Sequence, residues 1–215
     1  MAYRKQNFAV GENYHLYNRG IEKRIIFLDK QDYEHFSLLM YLCNSSRSIT
    51  LRDIGERFDR GETIVNIGAY CLMPNHFHIL VQEKVKNGIS LYMKKLLTGY
   101  AMYFNKKYER TGRLFENTFK SSHAGSDRYL KYLYAYIHLN PVKLIDKNWK
   151  TKPIKDANTM LKYIFDYPYS SVHEYINVRE TGQKNIISRT AFPKYFLKPR
   201  DHAKELYNWL KLDTP

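Results

Sequence analysis

Met73-Pro74-Asn75-His76-Phe77-His78-Ile79-Leu80-Val81 sets a turn, two histidines and an apolar run in one short stretch. Residues 64–72 before it are rich in β-branched and aromatic side chains, and Met73-Pro74-Asn75 carries turn chemistry. The spacing predicts a hairpin whose return strand spans residues 76–82. Successive side chains of a strand point to opposite faces. His76 and His78 then share a face, with Phe77 on the other. Two imidazoles held side by side on a rigid strand can bind one metal ion. The plainer reading of a lone His-x-His is an idle pair on a sheet.

Working outward, Tyr14-His15-Leu16-Tyr17-Asn18-Arg19-Gly20 reads as a first strand. Tyr33, Phe36, Leu39, Met40 and Cys43 recur at helical spacing and predict a helix over 32–43. A short helix over 51–58 follows a polar break. Ser90 is the expected cap of a helix reaching about residue 108, with Met93, Leu96, Leu97, Tyr100 and Phe104 as its stripe. Residues 114–120 read as a further strand. Asp127 is the expected cap of a helix over 128–139 that buries Leu130, Leu133, Tyr134 and Ile137, and Pro141 ends it. The order strand, helix, strand, strand, helix, strand, helix predicts an α+β fold. Its core is a ferredoxin-like antiparallel sheet with helices packed on one face and polar residues on the open face. The chain divides into a domain over 1–175, with a lysine-rich insertion at about 146–166, and a basic C-terminal extension of helices and loops over 176–215.

The 215 residues carry 35 Lys and Arg against 21 Asp and Glu, a formal charge of +14. A surplus of this size points to a polyanion partner, nucleic acid above all. The 20 tyrosines and 11 phenylalanines exceed what charge alone needs. Most are expected in the core, and the rest are suited to stacking on unpaired bases. Cys43 and Cys71 read as buried thiols of a reducing compartment. No secretory or membrane-spanning run is present, so a soluble cytoplasmic protein is expected.

A metal held by two neutral imidazoles usually takes a third protein ligand and keeps positions for substrate oxygen. Gln82 lies two pleats away; a helix crossing the sheet edge is the other source. In Tyr136-Ile137-His138-Leu139-Asn140-Pro141, Tyr136 and Asn140 fall about 40° apart around a helix. They lie on the flank of its buried stripe. Asn140 offers an amide oxygen, Tyr136 a phenol, and His138 points away from both. A phenol attacking a phosphodiester conserves the bond energy as a phosphotyrosine. Its pKa near 10 means it needs help to ionise. Tyr129, Tyr132 and Tyr134 share that helix, and packing is the plain role for such tyrosines.

Six segments together resemble the single-tyrosine HUH transposases, and more closely the REP-associated tyrosine transposases. They are Tyr14-His15-Leu16-Tyr17-Asn18-Arg19-Gly20, Cys71-Leu72-Met73-Pro74-Asn75-His76-Phe77-His78, Tyr103-Phe104-Asn105, Gly112-Arg113-Leu114-Phe115, Tyr136-Ile137-His138-Leu139-Asn140-Pro141-Val142 and Tyr167-Pro168-Tyr169-Ser170-Ser171. They occur in the family's order. The resemblance implies that His76 and His78 bind Mg²⁺ or Mn²⁺, with Asn140 as a third ligand and Tyr136 as nucleophile. It implies cleavage and rejoining of single-stranded DNA at hairpins of palindromic repeats, through a 5′-phosphotyrosine. A monomer, associated with the bacterial nucleoid when bound to DNA, is the expected state. Arg19, Arg110, Arg113, Lys120 and Lys143 adjoin these segments and are the expected DNA contacts. Two other classes stay open: a single-stranded nucleic-acid-binding module without catalysis, and a metal-dependent hydrolytic nuclease.

Overall fold

Strands β1 (Asn13–Arg19), β2 (Val65–Met73), β3 (His76–Glu83) and β4 (Lys120–His123) form one antiparallel sheet in the order β2-β3-β1-β4. Helix α1 (Lys30–Leu42) links β1 to β2, and α2 (Gly88–Lys107) links β3 to β4, the ferredoxin-like arrangement the pattern predicts. The computed structural model describes residues 7–47, 60–149, 151, 154, 156–176 and 186–211. The helix expected over 51–58 lies outside the described residues.

One sheet face is apolar and buries Leu16, Phe77, Ile79 and Val81 against Phe36 and Met40 of α1 and Tyr92, Leu96 and Tyr100 of α2. Each fully buried side chain of this size contributes roughly 1.5–3 kcal/mol. Asp29 caps α1 in a reciprocal box with Asp32. Lys107 of α2 reaches back to Asp29 at 2.8 Å and Asp32 at 2.9 Å, so it ties the helices together. Ser90 is not the cap of α2. Asn87 occupies that position with a left-handed φ of 65°, and the buried Glu83 carboxylate accepts from the Ile89 amide at 2.7 Å.

The opposite face, expected to be open, is partly covered. Helix α3 (Asp127–His138) lies on it, packing Leu130, Leu133, Tyr134 and Ile137 on Ala69, Cys71, Met73 and Leu80. A bulge between Ile67 and Ala69 shifts the alternation of β2 by one residue. Both faces of the strand are therefore apolar, and both need a cover. Gly68, at the bulge, leaves room for its neighbours: a Cβ there would meet Phe192 Cζ at 2.9 Å and Leu80 Cδ2 at 3.0 Å. The free edge of β2 is also occupied. Leu72 donates its amide to the Tyr169 carbonyl at 2.9 Å, Ser171 to that of Tyr70 at 3.0 Å, and Ser188 to that of Ile67 at 2.8 Å.

The strand expected over 114–120 does not form; β4 begins at its last residue, Lys120, and runs on to His123. Leu114, Phe115 and Phe119 are all buried, which alternation cannot achieve, so the segment runs irregularly and meets β1's end through a Gly20–Phe115 bridge. Ser126, not Asp127, caps α3, accepting from the Tyr129 amide at 3.3 Å. A 3-10 turn over Asn140–Leu144 follows, with Pro141 in its first turn, where a missing N–H costs nothing. Cys71 is buried and Cys43 half-buried at the end of α1.

The late residues finish the support of α3. Helices α4 (Ala157–Asp166), α5 (Val172–Ile176) and α6 (Pro199–Lys211) join Ala135, Leu139 and Val142 in a third core through Ile164, Val172, Leu206 and Leu210. The insertion and the extension therefore pack on each other and on the back of α3. No helix among the described residues is long and apolar enough to cross a membrane.

Candidate active site

Pairing of β1 with β3 sets Tyr17 opposite His78 and Arg19 opposite His76. Side chains directly opposite share a face, so His15, Tyr17, Arg19, His76 and His78 line the sheet beside the edge of α3. Lys120 of β4 lies opposite Tyr17 and belongs to the same face.

The His76 and His78 rings are 5.1 Å apart and perpendicular. His76 Nδ1 is 2.6 Å from Asn75 Oδ1, an acceptor, so Nδ1 carries the proton and Nε2 keeps its lone pair. His78 Nδ1 is 2.9 Å from His15 Nε2. If His15 accepts there, His78 also presents a bare Nε2. Burial, then Lys143, then Arg19 lower His76 to about 4. Burial and then Lys143 lower His15 to about 4. Both rings are neutral at physiological pH, the state a metal ligand needs.

Tyr136 projects from α3 over His78 and His15, its ring 5.5 Å from that of His78 and 5.6 Å from that of His15, edge-on to both. Burial raises its phenol above the ordinary range, and the phenols of Tyr132, Tyr17 and Tyr129 push the same way. The cation at hand is Lys143, whose Nζ stands 5.5 Å from the Tyr136 ring centre.

Asn140 is brought near but is engaged. Its amide nitrogen donates to the Tyr136 carbonyl at 2.8 Å, closing the last turn of α3, and its oxygen accepts from Lys143 at 2.8 Å. That residue therefore reads as a brace for Tyr136 and an anchor for Lys143. Among the described residues no set of three His, Cys, Asp or Glu side chains gathers into a metal cage. The side chains here that could hold a divalent ion are His76 and His78 through Nε2, with the Asn140 oxygen, now bonded to Lys143, as the expected third donor. His138 points the other way, bonded to His202 at 2.7 Å and Ser171 at 2.8 Å.

The expected DNA contacts divide. Lys143, Arg19 and Lys120 share the histidine face, and Arg19 pairs with Glu116 at 2.8 Å. Arg110 folds back on Asn105 at 2.8 Å. Arg113 donates to the Glu116 carbonyl at 3.2 Å and is otherwise exposed. The residue that sequence reasoning missed is His15. Its only signal is the alternation that places it on the Tyr17 face.

An antiparallel α+β sheet that holds a histidine pair beneath a helix-borne tyrosine defines the class. The chain belongs to the IS200-like transposase family, whose model matches residues 13–140. Six solved chains match the structure. One is a REP-associated tyrosine transposase bound to a REP hairpin, similar over 87% of this chain and 91% of that one, with a TM-score of 0.52 and 16% identity. No curated protein matches in sequence.

Proposed function

We propose that this transposase cleaves and rejoins single-stranded DNA through Tyr136. The observation that carries the reading is the Tyr136 ring set 5.5 Å from that of His78, beside the neighbouring ring of His76 on the same strand. His76 and His78 would hold Mg²⁺ or Mn²⁺, which supplies Lewis-acid polarisation of the scissile phosphate. Tyr136 Oη attacks phosphorus and the bond to the 3′ oxygen breaks, leaving a 5′-phosphotyrosine and a 3′-hydroxyl. The proton lost by the phenol equals the one gained by the departing oxygen, so the step is proton-neutral. Lys143, 5.5 Å from the Tyr136 ring centre, would meet the charge growing on the phosphoryl oxygens. Asn140 keeps Lys143 and Tyr136 in place.

The substrate class follows from charge and kinship. A net charge of +14 suits a polyanion, and the solved relative is bound to a REP hairpin. We take the substrate to be single-stranded DNA bearing such hairpins, handled by a monomer. The test is a covalent protein–DNA adduct on denaturing gels, formed with a hairpin oligonucleotide and Mg²⁺ or Mn²⁺. Tyr136→Phe should abolish it. An adduct that persists in that variant rejects Tyr136 as nucleophile. Cut DNA with no protein attached would instead mark a hydrolytic nuclease, and binding without cutting a passive module.

A further inference from the structure

Helix α3 carries a row of tyrosines leading to the site. The Tyr129 and Tyr132 rings lie 6.0 Å apart and within 25° of parallel. Tyr132 and Tyr136 are 5.8 Å apart at 40°. All three are half-buried, so each is seated but shows part of its ring. The buried stripe of α3 is made by Leu130, Leu133, Tyr134 and Ile137. Core packing accounts for Tyr134; Tyr129 rests only partly buried against the same core, and Tyr132 stands outside it. Tyr132 is supported from behind by Trp209 of α6, at 5.0 Å. The indole donates to Glu205 at 3.2 Å, and Glu205 pairs with Lys131 of α3 at 3.2 Å. A ring braced this way keeps its orientation while staying accessible.

We propose that Tyr129 and Tyr132 form a stacking surface for an unpaired nucleobase of the strand whose phosphodiester reaches Tyr136. The proposal rests on the functional reading above and adds how the strand is held in register. Aromatic faces stack on any base, worth about 1–3 kcal/mol per base. The cations that would meet the backbone lie alongside: Lys143 next to the Tyr136 ring, and Lys120 and Arg19 on the sheet face. A duplex covers its base faces, so the occupant is single-stranded. Tyr132 is a positioning residue: it fixes which phosphodiester meets the phenol.

The test uses full-length Tyr136→Phe protein and oligothymidine carrying 5-iodouracil. Irradiation should crosslink it to Tyr129 or Tyr132, read by peptide mass spectrometry. In parallel, wild-type, Tyr132→Ala and Tyr132→Phe proteins are titrated with oligothymidine and with an abasic strand of equal length. The wild type and the Phe variant should prefer the base-bearing strand. The Ala variant should lose about tenfold of that preference with an unchanged salt dependence. Crosslinks confined to other segments, an intact preference in Tyr132→Ala, or equal loss in Tyr132→Phe overturn the proposal. These readouts need no adduct, so a failure of Tyr136 chemistry would sink the functional reading and leave them standing.

Discussion

His15 Nε2 lies 2.9 Å from His78 Nδ1 across the β1–β3 pairing. A neutral imidazole has one proton to give, so this contact decides which nitrogen of His78 carries it. His15→Ala should weaken Mn²⁺ binding about 10- to 100-fold, the usual effect of losing a partner that orients a ligand. Calorimetry or electron paramagnetic resonance measures it. An affinity equal to wild type would mean that His15 does not set the tautomer.

Asn140 and His76 should separate by phenotype. Asn140→Ala removes the side-chain bond to the Tyr136 carbonyl, a loss of about 0.5–1.5 kcal/mol of stability, seen in urea midpoints. His76→Ala should abolish measurable Mn²⁺ binding at little cost in stability. If Asn140→Ala removes metal affinity as completely, the amide is a ligand after all.

Lys143→Gln should slow adduct formation at least about tenfold by removing the charge beside the phenol. Burial of Tyr136 opposes its ionisation, so the cation acts against a standing cost. Single-turnover rates with saturating oligonucleotide give the comparison. An unchanged rate would remove Lys143 from the chemistry.

His202 is buried and bonded to His138, and burial lowers it to about 3. The unfolded chain takes up its proton near 6.5 and the folded chain does not. Stability is therefore full above about pH 6.5 and falls as pH drops towards 3, by about 1.4 kcal/mol per unit from this group. Urea unfolding between pH 7 and 5 should show that slope, reduced in His202→Gln. Equal slopes in both proteins would refute the assignment.

Leu206 is fully buried between α6 and the back of α3. Leu206→Ala should cost about 2–5 kcal/mol and lower adduct yield at temperatures where α3 loosens. Thermal melts followed with the adduct assay test this. A stable variant with wild-type yield would show that α3 needs no such backing.

The hairpin and its histidines are legible in the sequence because a strand's period of two is local information. The stripes of α1, α2 and α3 are legible for the same reason. His15 is not, since no strand states its partner; only the register that sets Tyr17 against His78 brings it in. The cover over the second sheet face is hidden by the bulge at Gly68, which breaks the alternation where it would be read. The α2 cap is missed because Glu83, the group that serves it, belongs to the preceding strand. The role of α4 and α6 depends on contacts between segments far apart in the chain, which neither pattern contains.

The bonds that Tyr169, Ser171 and Ser188 make along β2 have a consequence for how copies of this chain meet. An open sheet edge is a template for a stranger's strand. Here one margin is already spoken for, and the other is the four-residue β4 with a lysine and a histidine at its ends. Two molecules crowded together find little open sheet edge among the described residues, so zipping into aggregates is disfavoured.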